Sequence, residues 1–280
     1  MSAEFRKFLL LNEVGKEYDL TNPAHFFANP DGLGFEREFS VMQVGDSFVS
    51  VENKLRQQKV TGEMIFSDYV EYAEFSQFIA GRMLTLAYQP AGIGVWYYRS
   101  CKVNSLKKTE ISHSTGRLHC NVDFICFSQW YESVIAERTI YEVSENSVFP
   151  LTFPFVFADK NINEIILSNT NSSEAPCRIE ILGPCSNPRW TLLQNGMELL
   201  NGKVSVSLDE GESLIIDANV ETMRIAKVTD GVESDAYQYS DFTTNRFVYA
   251  PAGLSLLRFY HDSDNALDIS VEVRRIADTV

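Results

Sequence analysis

The chain has 280 residues, which is enough for one large domain or two of ordinary size. Hydrophobic residues make up 45% and charged residues 22%, values that are typical of a globular protein and exclude disorder along the whole chain. The net charge of −14 argues against binding nucleic acid through its phosphates and against anionic membrane surfaces. No stretch has the length of a secretory or transmembrane segment, so we expect synthesis and folding in a cytoplasm.

The five cysteines form neither a metal motif nor a disulfide framework. Their number is odd and no C-x-x-C pair occurs, so we expect free and mostly buried thiols. They are Cys101, Cys120, Cys126, Cys177 and Cys185.

The first third of the chain alternates predicted strands with tight loops and one helix. Residues 5–11 read as an opening strand, and the glycines of PDGLG, residues 30–34, predict a loop with special backbone angles. A helix is predicted between Ser67 and Gly81, because Asp68 is a good N-cap residue, Glu71 follows it as in a capping box, and apolar residues recur at helical spacing.

Residues 95–131 predict one long β-hairpin. In the second arm, alternate residues from Leu118 to Cys126 are apolar, and His119, Asn121 and Asp123 fall on the other face. Strict alternation of this kind indicates a half-buried strand. A two-stranded hairpin is only marginally stable in water, so we expect its apolar face to pack against further strands or a helix.

Beyond residue 155 the pattern changes to many short strands between turn residues. The separators Asn195-Gly196, Asn201-Gly202, Glu210-Gly211 and Asp230-Gly231 favour tight turns. This spacing predicts a β-sandwich of the jelly-roll kind. Prolines at 150 and 154 suggest a boundary, so we predict two domains, residues 1–140 and 141–280. The fold class is therefore mainly β, with two β-sandwich domains, the first carrying the hairpin and the helix.

Motifs of catalysis or metal binding are not found in the sequence. The four histidines lack H-x-x-x-H spacing, and no nucleophile-elbow, dinucleotide or P-loop motif occurs. Asp262, Asp264 and Asp268 are arranged partly like a calcium loop, but Ala266 replaces an oxygen ligand and the turn glycine is missing. We therefore predict no catalytic, cofactor-binding or metal-binding residues, and no cofactor.

The tetrapeptide Asn187-Pro188-Arg189-Trp190 resembles part of the sugar-binding strand of galectins. Cys185 replaces the family's histidine and the downstream W-G-x-E-x-R motif is missing, so lactose-type binding does not carry over. We predict instead that Trp190 is a core residue.

Taken in order, several segments resemble the distal tail proteins of long non-contractile-tailed bacteriophages and prophages, the family that forms the baseplate hub. They are YDLTNP from Tyr18, PDGLGFE from Pro30, the helix from Ser67 to Gly81, YYRSCKVNSLKKTEI from Tyr97, GRLHCNVDFICFSQWY from Gly116, GPCSNPRW from Gly183, LDEGESLIID from Leu208, and APAGLSLLRF from Ala250. Their order and spacing carry the resemblance, because each segment alone is only a turn or strand signature.

The resemblance implies a structural virion protein of the tail tip, made in the bacterial host cytoplasm, and not an enzyme. It implies an N-terminal domain that forms a homohexameric ring and a galectin-like C-terminal sandwich. The ring would join the tail-tube protein to a tail-associated hub or a fibre and receptor-binding protein, without nucleic acid or membrane. We place the ring contacts at or near the 95–130 hairpin and the 30–35 loop. The residues named for this interface are Pro30, Gly32, Leu33, Phe35, Lys102, Lys107 and His119.

Two alternatives remain open. A carbohydrate-binding module recognising host cell-wall saccharide would need an exposed aromatic platform, for which Tyr237, Tyr239, Phe247 and Tyr249 are candidates. A cell-wall glycosidase would need two carboxyl groups facing each other in a cleft.

Overall fold

The computed structural model describes residues 5–34, 37–55, 58–136, 138–139, 163–263, 267–277 and 279–280. The chain divides into two compact units, Met1–Glu132 with Ile276–Val280, and Ser133–Arg275. The predicted domain boundary between residues 140 and 141 lies outside the described residues. The predicted fold class is confirmed, since strands dominate both units.

The described part of the first unit is built from strands and one α-helix. The strands are β1 (Lys7–Asn12), β2 (Glu17–Asp19), β3 (His25–Asp31), β4 (Arg37–Val44), β5 (Ser47–Leu55), β6 (Lys59–Phe66), β7 (Leu84–Gln89), β8 (Tyr97–Lys107), β9 (Leu118–Cys126) and β10 (Trp130–Ile135), and the helix is α1 (Tyr69–Ile79). Strand β10 runs on into the second unit.

Seven strands of this unit form one antiparallel sheet in the order β2-β1-β7-β8-β9-β6-β3. The sheet folds over on itself, because Phe8 of β1 contacts Phe27 of β3 with ring centroids 5.2 Å apart. Phe27 also contacts Phe124 of β9 at 5.8 Å. The sheet therefore encloses its own aromatic core.

The predicted hairpin is confirmed as β8 and β9. Their register runs from Cys101 opposite Cys126 to Lys107 opposite Asn121, with an irregularity near Val103. Along β9 every second side chain from Leu118 to Cys126 is buried. The neighbours required by its apolar face are present, because β9 also pairs with β6 over its whole length.

The predicted helix is confirmed, and it covers one side of this core. Asp68 caps it by accepting hydrogen bonds from the backbone N–H groups of Val70 and Glu71, at 2.8 and 3.0 Å, and the Glu71 bond is the main reason that the pKa of Asp68 lies below its usual range. Phe75 and Phe78 are its buried residues. No helix among the described residues is long and apolar enough to cross a membrane.

The second unit is a sandwich of two sheets. One sheet has the order β23-β13-β18-β19-β20 and the other β11-β12-β22-β15-β16. The strands are β11 (Arg138–Thr139), β12 (Asn163–Asn169), β13 (Ala175–Leu182), β14 (Cys185–Ser186), β15 (Arg189–Gln194), β16 (Met197–Lys203), β17 (Ser207–Leu208), β18 (Ser213–Asp217), β19 (Arg224–Thr229), β20 (Val232–Asp235), β21 (Tyr249–Ala250), β22 (Gly253–Tyr260) and β23 (Asp268–Ala277).

Side chains of both sheets meet in one core. Ile179 and Val271 come from the first sheet, and Trp190, Leu257 and Phe259 from the second, and each is at most 1% exposed. The predicted core position of Trp190 is thus confirmed, and so is the predicted sandwich.

Two of the predicted turns have the left-handed backbone that they require, and one prediction is wrong. Asn195-Gly196 and Asp230-Gly231 both have positive φ at both residues, as in the turns of tight hairpins. Asn201-Gly202, however, lies within strand β16. Gly202 is needed there because a Cβ would lie 2.3 Å from ring atoms of Trp190 and from a backbone oxygen of Asn245.

All five cysteines are buried and free, as the sequence predicted. Burial raises the pKa of Cys177 to about 12 and that of Cys185 to about 11. Because the thiolate is the reactive form, we expect these two side chains to react slowly near neutral pH. They act as small apolar core residues.

The close approach of β16 to the core tryptophan gives a test of packing. We expect Gly202→Ala to lower the free energy of unfolding by about 1–3 kcal/mol, the usual cost of overpacking. The control is Gly94→Ala, since a Cβ at Gly94 meets nothing within 4 Å. Urea unfolding should show the loss only in Gly202→Ala, and equal stability of the two variants would contradict this packing.

The cysteines give a second test. With an aromatic disulfide reagent at neutral pH, the native protein should react slowly and the denatured protein should show five thiols. As a positive control, a cysteine placed at the exposed Ser114 should react at once. Fewer than five thiols after denaturation, restored by a reductant, would reveal a disulfide.

Candidate assembly surface

Strands β4 and β5 form a separate hairpin in the first unit. They pair from Arg37 opposite Leu55 to Val44 opposite Ser47, with an irregularity at Ser40. The two-residue turn begins with Gly45 at φ +62°, the left-handed backbone that such a turn needs at its first position. Within the described part of the chain, these two strands pair only with each other.

Both faces of this hairpin expose apolar side chains. One face carries Phe39, Val41 and Phe48, which are 58%, 63% and 71% exposed. The opposite face carries Met42 and Val49, which are 56% and 50% exposed. A soluble monomer seldom displays so many apolar side chains together, and such surfaces usually mark sites of protein association.

The two ends of the hairpin are fixed to the folded sheet at adjacent points. Asp31 at the end of β3 pairs with Thr61 of β6. Gly32, which leads towards the hairpin, has φ +88°, and a Cβ there would lie 2.0 Å from the backbone oxygen of Lys59. Only glycine allows this contact, so the outgoing and returning chains meet at the base of the hairpin.

The returning chain is also held by a buried arginine, Arg99 of β8, which is 1% exposed. Its Nη2 donates to the side-chain oxygen of Gln58, and its Nε donates to the backbone oxygen of Ser128 at 2.8 Å. The guanidinium lies 5.4 Å from the ring centroid of Trp130. Arg99 therefore connects the residue just before β6 to the segment between β9 and β10.

No carboxylate among the described residues pairs with Arg99, and its Nη1 atom is buried without a hydrogen-bond partner there. Burial accordingly lowers the pKa of the guanidinium. A buried cation without a counter-charge is costly, so its contacts must be geometrically good. Nothing in the sequence pattern YYRSC distinguished this arginine in advance.

The predicted loop residues lie beside the base of the hairpin. Pro30 is in β3, Gly32 follows it, and Leu33 packs against the core of the first unit. Phe35 lies outside the described residues. The prediction placed a contact loop here but missed the β4–β5 hairpin to which the loop leads, although the run VGDS between two β-branched segments is a hairpin signal.

The other predicted contact residues lie on the β8–β9 hairpin. Lys102 and Lys107 are exposed on β8, opposite Ile125 and Asn121 respectively. On β9, the Nδ1 atom of His119 lies 3.0 Å from a Glu63 carboxylate oxygen.

One of these predicted contact residues, Lys107, lines a groove. Glu63 and Lys107 line one shallow groove of about 470 Å³ with Asn29, Thr61 and Asp123. Since Asn29 is the neighbour of Pro30, the groove connects the loop region to the β8–β9 hairpin. Lys102 and His119 do not line it, although His119 contacts Glu63, which does.

In the second unit, the galectin-like tetrapeptide serves an internal contact. Asn187 Nδ2 and Arg189 Nη2 donate to the two carboxylate oxygens of Asp262, at 3.0 and 2.8 Å. The hydrogen bond from Asn187 is the main reason that the pKa of Asp262 lies below its usual range. Asp264 and Ala266 of the partial calcium motif lie outside the described residues, and no group of metal-binding side chains was found among the described ones.

The four aromatic candidates of the second unit do not form one exposed platform. Tyr237 and Phe247 stack on each other and pack against the core. Tyr249 donates to the backbone oxygen of Ala218 at 3.0 Å. Tyr239 is 50% exposed.

The buried arginine gives a test of the hairpin base. Arg99→Lys should lower the free energy of unfolding by about 2 kcal/mol, because lysine cannot donate in the same fork to Gln58 and Ser128 or lie flat on Trp130. Arg82→Lys, at an exposed position, is the control. Thermal and urea unfolding measure both, and a fully stable Arg99→Lys variant would contradict the role of the fork.

Comparison with known proteins shows which proteins the chain is similar to. Residues 7–127 match the family model of the distal tail protein, N-terminal domain. A chain in the structure of the phage p2 baseplate in its activated conformation with Sr is 15% identical, with a TM-score of 0.72 over 98% of this chain and 99% of that chain. A p2 baseplate structure with Ca gives the same values.

The Dit protein of phage SPP1, which has been described as a paradigm of the hub adsorption apparatus in phages that infect Gram-positive bacteria, is 11% identical. Its TM-score is 0.59 over 95% of this chain and 98% of that chain. No curated protein matches. At these identities the structural likeness shows the fold, and the family model adds the relationship. The resemblance to the phage distal tail protein family that was predicted from the sequence is therefore confirmed, with residues 7–127 as its N-terminal domain in this chain.

Proposed function

We propose that this distal tail protein is a hub of a phage baseplate, built as a homohexameric ring. The ring joins the tail-tube protein on one side to the tail-associated hub or the fibre and receptor-binding protein on the other. The protein works at the virion tail tip after synthesis in the bacterial host cytoplasm. Its role is structural, without catalysis, cofactor, nucleic acid or membrane.

The observation that carries the proposal is the β4–β5 hairpin. Its two faces expose apolar side chains at 50% or more, and a lone two-stranded hairpin is only marginally stable in water. Association with a second copy of the chain buries these side chains and covers the free strand edges. We therefore place the hairpin of one protomer against the sheet of its neighbour.

A closed ring fits this geometry because the hairpin and its receiving surface are different patches of the same chain. Contacts between different patches are heterologous, and they form a ring when the rotation closes. We assign the receiving surface to the groove near Lys107 and His119, and the base of the hairpin to Pro30, Gly32, Leu33 and Phe35. The exposed Lys102 belongs to the same proposed interface.

The same hairpin supports a structural role. Obligate interfaces are more apolar than transient ones, because the monomer does not need to remain free in solution. Six copies of the 31.7 kDa chain have a mass of about 190 kDa, which separates the ring clearly from a monomeric lectin or enzyme.

We predict that replacing Phe39, Val41 and Phe48 by serine gives a stable monomer, whereas the unchanged chain forms the ring. The apolar face that drives association is lost, while the core of the first unit does not include these residues. Sedimentation velocity over a rising concentration range measures the mass, and thermal unfolding checks that the variant is folded.

The matched control replaces Val220, Val232 and Leu254 by serine. These side chains are 81%, 68% and 67% exposed but belong to the second unit, whereas the hairpin belongs to the first. The control should keep the ring. A monomeric unchanged chain at the highest concentration, or equal loss of mass in both variants, would contradict the proposed hairpin interface.

A further inference from the structure

The second unit contains a pocket of about 630 Å³ beside strands β15 and β16. Leu192 of β15 and Leu199 and Leu200 of β16 form an apolar side, together with Phe247 from the segment before β21. Pockets of 300–1,000 Å³ with an apolar lining and a few polar groups are typical sites for small ligands.

The polar groups of this pocket have opposite charges. Arg246 and Glu174 both line it, with Asn245 next to the arginine. No salt bridge pairs Arg246 with a carboxylate in the part of the chain that the structure describes. A ligand can therefore find one cation, one carboxylate acceptor and one amide in a single pocket.

Arg246 is held in place by aromatic rings. Its guanidinium carbon lies 5.2 Å from the ring centroid of Tyr237 and 5.1 Å from that of Phe242. Its Nη1 donates to the Tyr237 hydroxyl. Because the side chain is already ordered, binding through its remaining N–H groups costs little conformational entropy.

The backbone around the pocket is also fixed. The Asn245 N–H donates to the backbone oxygen of Asn201 in β16 at 2.8 Å, and the Thr244 N–H donates to that of Asp241. Tyr249 is held by its bond to Ala218. The pocket is therefore formed before any ligand arrives.

We propose that this pocket binds a saccharide that carries a carboxylate or phosphate group. The apolar side accommodates the C–H surface of a sugar ring, Asn245 and Glu174 bind hydroxyl groups, and Arg246 binds the anionic group by charge-assisted hydrogen bonds. An inorganic anion without hydroxyl groups would be repelled by the Glu174 carboxylate, whereas a sugar can donate hydroxyl hydrogen bonds to it. The opposite charges of Glu174 and Arg246 therefore favour a charged sugar over an inorganic anion.

The net charge of −14 works against attraction of anions at a distance, so the contact with Arg246 must give the selectivity. The pocket is also separate from the galectin-like tetrapeptide, because Asn187 and Arg189 are engaged with Asp262 and do not line it. The proposal goes beyond the ring and does not depend on it.

The test is calorimetric titration of the full chain with glucuronic acid, glucose 6-phosphate and glucose. We expect at least one charged sugar to bind about tenfold more tightly than glucose, a ratio that corresponds to about 1.4 kcal/mol. The two charged sugars separate a carboxylate from a phosphate preference. Arg246→Gln should remove the tenfold preference, while Arg189→Gln, which removes an arginine of the same unit outside the pocket, should keep it.

A second variant tests the pocket without touching the arginine. Leu199→Glu places a carboxylate on the pocket wall at a position that is 49% exposed, so the fold should tolerate it, and sugar binding should be lost. The proposal would be overturned by equal binding of charged and neutral sugars, or by no binding of any of the three. It would also be overturned by binding of an acidic peptide in their place, or by equal losses in Arg246→Gln and Arg189→Gln. Sedimentation velocity of the same variants measures their oligomeric state, so a loss of sugar binding can be distinguished from a loss of the ring.

Discussion

Strand β8 is the element on which the first unit depends, because it is hydrogen-bonded along both edges. Its first half pairs with β7, and its second half pairs with β9. Cys101 lies where the two pairings meet, opposite both Leu84 and Cys126. The long strand thereby joins β1, β2 and β7 to β3, β6 and β9 in one sheet, and Phe8 can then contact Phe27 across the fold.

Burial of Arg99 in β8 has an unfavourable desolvation energy. Arg99 is deeply buried, and among the described residues its cation contacts neutral acceptors and a ring but no carboxylate. Neutral contacts compensate burial of a guanidinium poorly. These contacts instead fix positions, because Gln58 and Ser128 both accept hydrogen bonds from the side chain of Arg99. The backbone that follows the β4–β5 hairpin is thereby held next to the segment between β9 and β10.

The elements that could be predicted from the sequence are those whose partners lie in the same chain. The alternation in β9 reflects burial against the core of the same unit. The Asp68 cap and the turns at Asn195-Gly196 and Asp230-Gly231 depend on neighbouring residues, so all of these patterns are visible in the sequence. The turn prediction at Asn201-Gly202 was wrong because an Asn-Gly pair is typical of tight turns, whereas Gly202 is needed here for close contact with Trp190. Arg99 gave no signal, because a single buried arginine has no periodicity.

The β4–β5 hairpin was missed for a different physical reason. Pattern rules assume that one face of a strand meets the core of its own chain and the other meets water. Here apolar residues occupy both faces, so the segment has no alternation even though its turn is regular. In the proposed ring another copy of the chain covers these faces, and the apolar pattern of the segment then matches burial in the assembly and not in the single chain.

The two surfaces of this protein also differ in the kind of association that they support. The hairpin exposes apolar side chains on both of its faces, and such a surface favours a permanent contact because dissociation would return these side chains to water. The pocket of the second unit is already folded and has its arginine ordered by two rings, a composition that suits a small ligand that binds and leaves. The chain carries these two kinds of surface on separate units, so a change in one can be tested without altering the residues of the other.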